Sequence, residues 1–254
     1  ARLAKDDSAV IMDELNWSKE YLSSISKIFI VACGTAYHAG FVGKYYIEKL
    51  ARIPVEVDIA SEFRYRSPIL DESTLTIVIS QSGETSDTLA ALKEAKRLGS
   101  KTMAITNVVG SSIAREADQV VYTWAGPEIA VASTKAYTTQ LITVFMLATY
   151  MAGLKETISA DYAKSLISSL RKVPAQISEI LEDVEPIKTF AQQYGFNEDV
   201  FFIGRSLDYA VALEGSLKLK EISYIHAEAY AAGELKHGTL ALIVDCVTFI
   251  ALVT

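Results

Sequence analysis

Cysteine is scarce in this chain of 254 residues: only Cys33 and Cys246 occur, far apart and each beside a strand-like apolar run. Two such thiols do not make a disulfide framework and do not support a zinc site, so reduced cysteines in a cytoplasmic protein are expected, with no metal. No run of Lys or Arg is longer than a pair and the formal net charge is −7. The electrostatic footprint of a nucleic-acid partner is therefore missing, and an anionic ligand has to be held by local groups. Neither Gly-x-x-x-x-Gly-Lys-Ser/Thr nor Gly-x-Gly-x-x-Gly occurs, which disfavours nucleotides. The start, Ala1-Arg2-Leu3-Ala4-Lys5-Asp6-Asp7, is charged and lacks the apolar core of a signal peptide, so export is not expected. Residues 136–154 carry no charge, but Tyr137, Thr138, Thr139, Gln140, Thr143, Thr149 and Tyr150 interrupt the stretch. It reads as a buried helix and not as a membrane span.

What is present is the composition of a globular protein, 50% hydrophobic and 22% charged residues. Apolar runs at 27–33, 55–59, 75–80, 101–106 and 119–123 alternate with helix-compatible segments at 37–51, 85–98 and 112–117. Strands alternating with helices predict a doubly wound parallel α/β sheet over roughly the first 150 residues. Long helices are expected at 135–153 and 162–181, with breaks near Gly153 and Pro174. Val200-Phe201-Phe202-Ile203-Gly204 then repeats the design of Ile28-Phe29-Ile30-Val31-Ala32-Cys33-Gly34, an apolar strand ending in Gly before polar residues and a helix. Tandem duplication is the simplest reading. The boundaries expected are 1–155 for the first copy with an N-terminal helix, 156–196 for a helical linker, and 197–254 for the second. Because the chain opens on Ala and closes on the apolar, β-prone run 247–254, it reads as a piece of a longer polypeptide with the second copy incomplete. The uncovered edge of that run is expected to promote self-association.

In a parallel α/β sheet, ligands sit beyond the carboxyl ends of strands, where helix N-termini direct N–H groups outward. The third strand ends in Ser80-Gln81-Ser82-Gly83-Glu84-Thr85, which sets three hydroxyls, an amide and a close-approach glycine at a helix start. The plainer alternative is that these hydroxyls only cap the helix. Cys33-Gly34-Thr35 after the first strand and Val131-Ala132-Ser133-Thr134-Lys135 before a later helix offer further donors that could converge on one anion. In the segment 213–230 helical spacing sets Lys218 and Glu221 on one face with Glu214 a turn before, while Leu213, Leu217, Ile222 and Ile225 can face inward. Spacing alone leaves open whether Glu221 is a base or a salt-bridge partner of Lys218. It equally leaves His226 as a helix-end residue and His237 as a loop residue without a role.

These motifs, with Lys218-Leu219-Lys220-Glu221-Ile222-Ser223-Tyr224 and Glu228-Ala229-Tyr230-Ala231-Ala232-Gly233-Glu234-Leu235-Lys236-His237-Gly238, resemble the tandem sugar isomerase (SIS) domains of the glutamine:fructose-6-phosphate aminotransferase family. The resemblance spans nearly the whole chain. It implies a flavodoxin-like sheet in tandem, the second copy truncated, and an isomerising transfer of ammonia to fructose 6-phosphate that gives glucosamine 6-phosphate without metal or organic cofactor. Ser80, Gln81, Ser82 and Thr85 would bind the sugar phosphate, with Thr35, Ala132, Ser133 and Lys135 closing the site. Glu221 would move a proton between C1 and C2, Lys218 would lie near it, and His237 would assist ring opening, in a cytoplasmic homodimer that binds neither nucleic acid nor membrane.

Three departures stand out. Ala36 follows Cys33-Gly34-Thr35 where that family often has Ser, removing one hydroxyl. Thr239 follows Lys236-His237-Gly238 where Pro is common, which is expected to loosen the loop bearing His237. Nothing resembles a glutaminase domain, so Cys33 inherits no nucleophilic role. A phosphosugar isomerase or deglycase of the same domain type, and a sugar-phosphate-binding regulator without chemistry, remain the alternative readings.

Overall fold

The computed structural model describes residues 2–195, 197–244 and 247–254; Cys246 lies outside them. The chain forms two compact units, Ala1–Lys164 and Ser165–Thr254.

In the first unit, β1 (Lys27–Ala32), β2 (Val55–Ile59), β3 (Thr74–Ser80), β4 (Lys101–Thr106) and β5 (Gln119–Tyr122) make one parallel sheet of order β2-β1-β3-β4-β5. β1 and β3 are buried on both faces, which is why they read as unbroken apolar runs and not as an alternation. Side chains still alternate in direction. Phe29, Val31 and Val78 pack with Ala60, Phe63, Ala91, Leu92 and Ile113 from α3 (Ala60–Phe63), α4 (Ser86–Arg97) and α5 (Ser112–Glu116). The opposite face is covered by α2 (Gly34–Tyr46), which continues as a π-helical turn at Ile47–Ala51, and α6 (Lys135–Lys155) packs against both. Full burial of each large aliphatic in these strands contributes about 1.5–3 kcal/mol. A short α1 (Lys19–Ser23), capped by Ser18, precedes the sheet. The uncharged stretch 136–154 lies in α6 with Ala136, Val144, Leu147, Ala148 and Met151 buried, and among the described residues no helix is long and apolar enough to cross a membrane.

The helix expected to break at Pro174 does not: α7 runs Ala160–Glu182 with the proline inside. Proline removes one helix hydrogen bond and crowds the preceding turn, but this half of α7 is exposed, so the helix can continue with the freed carbonyl open to solvent. A further helix, α8 (Glu185–Tyr194), follows.

The second unit repeats the beginning of the first. β6 (Asp199–Gly204) stands between β7 (His226–Ala231) and β8 (Thr248–Ala251), all parallel, and α9 (Leu207–Ser223) follows β6 as α2 follows β1. The order β7-β6-β8 is that of β2-β1-β3, as duplication requires. Gly204 lets α9 approach β6 closely, because a Cβ there would lie 2.4 Å from the backbone carbon of Asp208. The inward face of α9 differs in part from the one expected: Ile225 packs on the core and Leu213 and Leu217 are half-buried. Ile222 is 67% exposed, whereas Ala212 is buried on Val200, Phe202 and Ala227 with Leu219 and Ile225 packed beside it, and Gly215 lets the helix sit close on the Phe202 ring.

Candidate functional site

In a sheet ordered β2-β1-β3-β4-β5, the chain runs outward in opposite directions from β1 and β3, and the crevice between their carboxyl ends is the natural ligand site. Ala32 and Ile79 are paired at that end. Cys33-Gly34-Thr35 therefore emerges beside Ser80-Gln81-Ser82-Gly83-Glu84-Thr85, and two of the three motifs singled out in the sequence meet there.

Thr85 occupies the N-cap position of α4, yet its hydroxyl makes no capping bond and lies instead 3.0 Å from Ser80 Oγ. Ser80 Oγ accepts from Gly83 N at 3.0 Å and Ser82 Oγ from Glu84 N at 3.2 Å. The hydroxyls shape the loop and leave the first turn of α4 without a side-chain cap, which keeps its N–H groups open to an anion. Thr35 and Ser82 are half-buried and Ala36 is buried. Cys33 is a free thiol whose sulfur sits 3.6 Å from Thr88 Oγ1.

The loop is braced from β4 and α5. Asn107 N donates to Gln81 O at 3.1 Å and Ile113 N to Gly83 O at 2.9 Å, while Glu84 Oε1 accepts Ser112 N at 2.8 Å. Hydrogen bonding to Ser112 holds the Glu84 carboxyl below its ordinary value. Gly83 has φ +66, and a Cβ on it would lie 2.0 Å from Ser111 Oγ and 2.8 Å from Thr106 Oγ1. Both hydroxyls are buried without a hydrogen-bond partner among the described residues.

The third motif lies in the β5–α6 loop. Ala132 and Ser133 are half-buried and Lys135, the first residue of α6, is exposed. The α6 N-terminus already faces an anion belonging to the chain: Glu128 Oε2 accepts Ala136 N at 3.0 Å and Thr134 N at 3.2 Å. The Ala136 N–H is the first cause that lowers the Glu128 pKa. Glu128 was not foreseen, because nothing local marks a glutamate inside an irregular loop as a helix cap.

In the second unit Lys218 bridges two carboxylates, its Nζ 2.5 Å from Glu221 Oε2 and 3.5 Å from Glu214 Oε1. The Glu214 side chain is 5% exposed, that of Glu221 30%. His237 stands exposed in the turn after β7, and among the described residues no hydrogen bond or ion pair joins it to Glu221 or Lys218. Thr239 does not simply loosen that turn: its hydroxyl donates to Leu235 O at 3.1 Å. His226 opens β7 and is not a helix-end residue; its Nδ1 lies 2.8 Å from Asp199 Oδ1, because the αL residue Tyr224 ends α9 before it.

The Asp199 hydrogen bond raises the His226 pKa above the ordinary 6.5. Its stabilising contribution is therefore complete below that ordinary value and is lost as pH rises through the raised one. In Asp199→Asn the imidazole midpoint, followed by NMR, is expected to fall back toward the ordinary value; an unmoved midpoint would exclude Asp199 as the cause.

The strand order, with a hydroxyl-rich loop at its switch point that carries neither lysine nor nucleotide motif, defines a flavodoxin-like module. The chain belongs to the SIS domain family, whose pattern it matches over residues 21–150 and 197–254. It is 65% identical over 249 residues to the glutamine–fructose-6-phosphate aminotransferase [isomerizing] of Caldanaerobacter subterraneus subsp. tengcongensis, a match that covers 98% of this chain and 41% of that protein. Against the Clostridium tetani aminotransferase of the same name the identity is 62%, over 99% of this chain and 41% of the relative. The C-terminal domain of glucosamine-fructose-6-phosphate aminotransferase from Francisella tularensis superposes with a TM-score of 0.93 at 43% identity, covering 100% of this chain and 70% of that one. The chain thus spans about two fifths of its curated relatives' length, and the part it matches is their isomerase part.

Proposed function

We propose that this chain is the sugar-phosphate-binding and isomerising part of an enzyme that converts fructose 6-phosphate and ammonia to glucosamine 6-phosphate. The observation that carries the reading is the β1/β3 crevice, where the hydroxyls of Ser80, Ser82 and Thr85 surround a loop that leads into the uncapped first turn of α4. The phosphate is held there by Ser80, Gln81, Ser82 and Thr85, with Thr35 and the Ala132, Ser133 and Lys135 loop closing over the sugar. Glu221 carries the proton between C1 and C2, with the Lys218 ammonium beside it. His237 serves ring opening; its exposure in a turn fits completion of the site in a homodimer. A cytoplasmic setting accords with sugar-phosphate chemistry and the free Cys33 thiol.

The test is calorimetric titration with fructose 6-phosphate and glucose 6-phosphate. Hydrogen bonds to charged phosphate oxygens contribute about 1.5–3 kcal/mol each, so Ser82→Ala combined with Thr85→Ala should weaken both sugars by a similar large factor. Unchanged affinity would remove this loop from the site. A regulator without chemistry would show the same binding but no hydrogen exchange at the sugar C1.

A further inference from the structure

Asn107 directly follows β4, and its hydrogen bonds reach both the phosphate loop and the β5–α6 loop. Its backbone N–H donates to Gln81 O at 3.1 Å. Its side chain is committed to the start of the β5–α6 loop: Oδ1 accepts Ala125 N at 2.8 Å and Thr123 Oγ1 at 3.2 Å, and Nδ2 donates to Gly126 O at 2.7 Å. The amide thereby extends the β4–β5 ladder by one step after Thr123 N has bonded Thr106 O at 2.9 Å.

What this bracing holds is an uncommon backbone. Trp124 has φ +56 although it is not glycine, and 69% of it is exposed, so its own packing does not fix it there. A bulky residue in the left-handed region persists when its surroundings over-determine it; here the bonds at Thr123, Ala125 and Gly126 do so from both sides. Downstream, the same loop carries Glu128, whose carboxylate bonds Thr134 N and Ala136 N, and between them stand Ala132 and Ser133.

We infer that Asn107 is a positioning residue that ties the course of the Ala132–Ser133 loop to the phosphate loop at Gln81, so that both close on one ligand. This rests on the site reading given above and adds a residue to it. Asn107 touches no reacting atom; it acts through the loop it fixes.

Two measurements on the whole chain test it. In hydrogen–deuterium exchange without ligand, Asn107→Ala is expected to speed exchange across residues 123–136 about tenfold or more, with β1 and β3 unchanged. Asn107→Asp, which keeps the acceptor for Ala125 N but sets a carboxylate oxygen against Gly126 O, should do the same and covers the case in which the alanine variant folds poorly. Unaltered loop exchange overturns the inference. In calorimetry with fructose 6-phosphate, Asn107→Ala should weaken binding about tenfold, and clearly less when Ser133 is already alanine, since the loop contact it serves is then gone. Equal weakening in both backgrounds means Asn107 acts elsewhere and also overturns it. A wild-type chain that takes up no hexose 6-phosphate refutes the proposed function, while the exchange result still decides whether Asn107 fixes the loop.

Discussion

In a polypeptide of the relatives' full length, Glu221→Gln is expected to reduce glucosamine 6-phosphate formation and hydrogen exchange at the sugar C1 by ~10²–10⁴, the usual contribution of a positioned general base. Glutamine keeps the size and one acceptor oxygen but cannot take up the proton. Fold and phosphate affinity should survive, because Glu221 is partly exposed near the end of α9 and lies on the side of the helix away from Ala212 and Leu219, which pack on β6. If Glu221 serves only as the partner of Lys218, the loss is that of an exposed ion pair, roughly a few tenths of a kcal/mol in stability, and turnover stays near wild type. Exchange, melting and ligand titration on one preparation separate these outcomes, and near-normal exchange would falsify the catalytic assignment.

Gly83→Ala is expected to be the most damaging single-methyl change in the first unit. The residue sits at φ +66, which costs an L-residue roughly 1–2 kcal/mol. The added Cβ would meet Ser111 Oγ at 2.0 Å and its Cβ at 2.5 Å, a clash that a hydroxyl rotation cannot relieve because the carbon is also in the way. Overpacking of this kind costs about 1–3 kcal/mol. For a unit of this size the two together correspond to a fall in melting temperature of roughly 4–20 °C. Hexose-phosphate binding should vanish as well, since Gly83 N bonds Ser80 Oγ and Gly83 O accepts Ile113 N, so any shift of the residue deforms the whole loop. Ser111→Gly in the same chain removes the obstructing side chain and should restore part of the stability; no restoration would mean that strain at φ, and not the clash, dominates.

The strands of the first sheet were legible to within a residue because each is an apolar run closed by polar or small residues, and that signal is local. The loop at 80–85 was legible for the same reason: it sits where a run ends. The course of α7 through Pro174 was not, since whether a proline breaks a helix depends on what surrounds the freed carbonyl, and here that half of the helix is exposed. The place of Ile222 was misjudged because it is apolar yet 67% exposed, and that of Glu214 because it is charged yet buried. Close packing on β6 is made by Ala212 and Gly215 with Leu219 beside them, while Glu214, on the other side of the helix, is buried beside the Lys218 ammonium. Asn107 could have been suspected, as it directly follows a strand on the ligand side of the sheet. Glu128 could not.

Composition and motif spacing by themselves determined that this is a parallel α/β chain with an internal repeat, and that the loop closing its third strand is rich in hydroxyls and is not a lysine-bearing nucleotide loop. These properties depend on which residues follow one another. Only the tertiary structure decided that β1 and β3 are neighbours in the order β2-β1-β3-β4-β5, so that Cys33-Gly34-Thr35 emerges beside Ser80–Thr85. It likewise decided that Glu128 takes the N-terminus of α6 and that Asn107 bonds Gln81, Ala125 and Gly126. Strand order and hydrogen-bond pairing join groups from about 8 to some 45 residues apart, and burial of the intervening helices selects among the possible pairings; no window of sequence contains that competition.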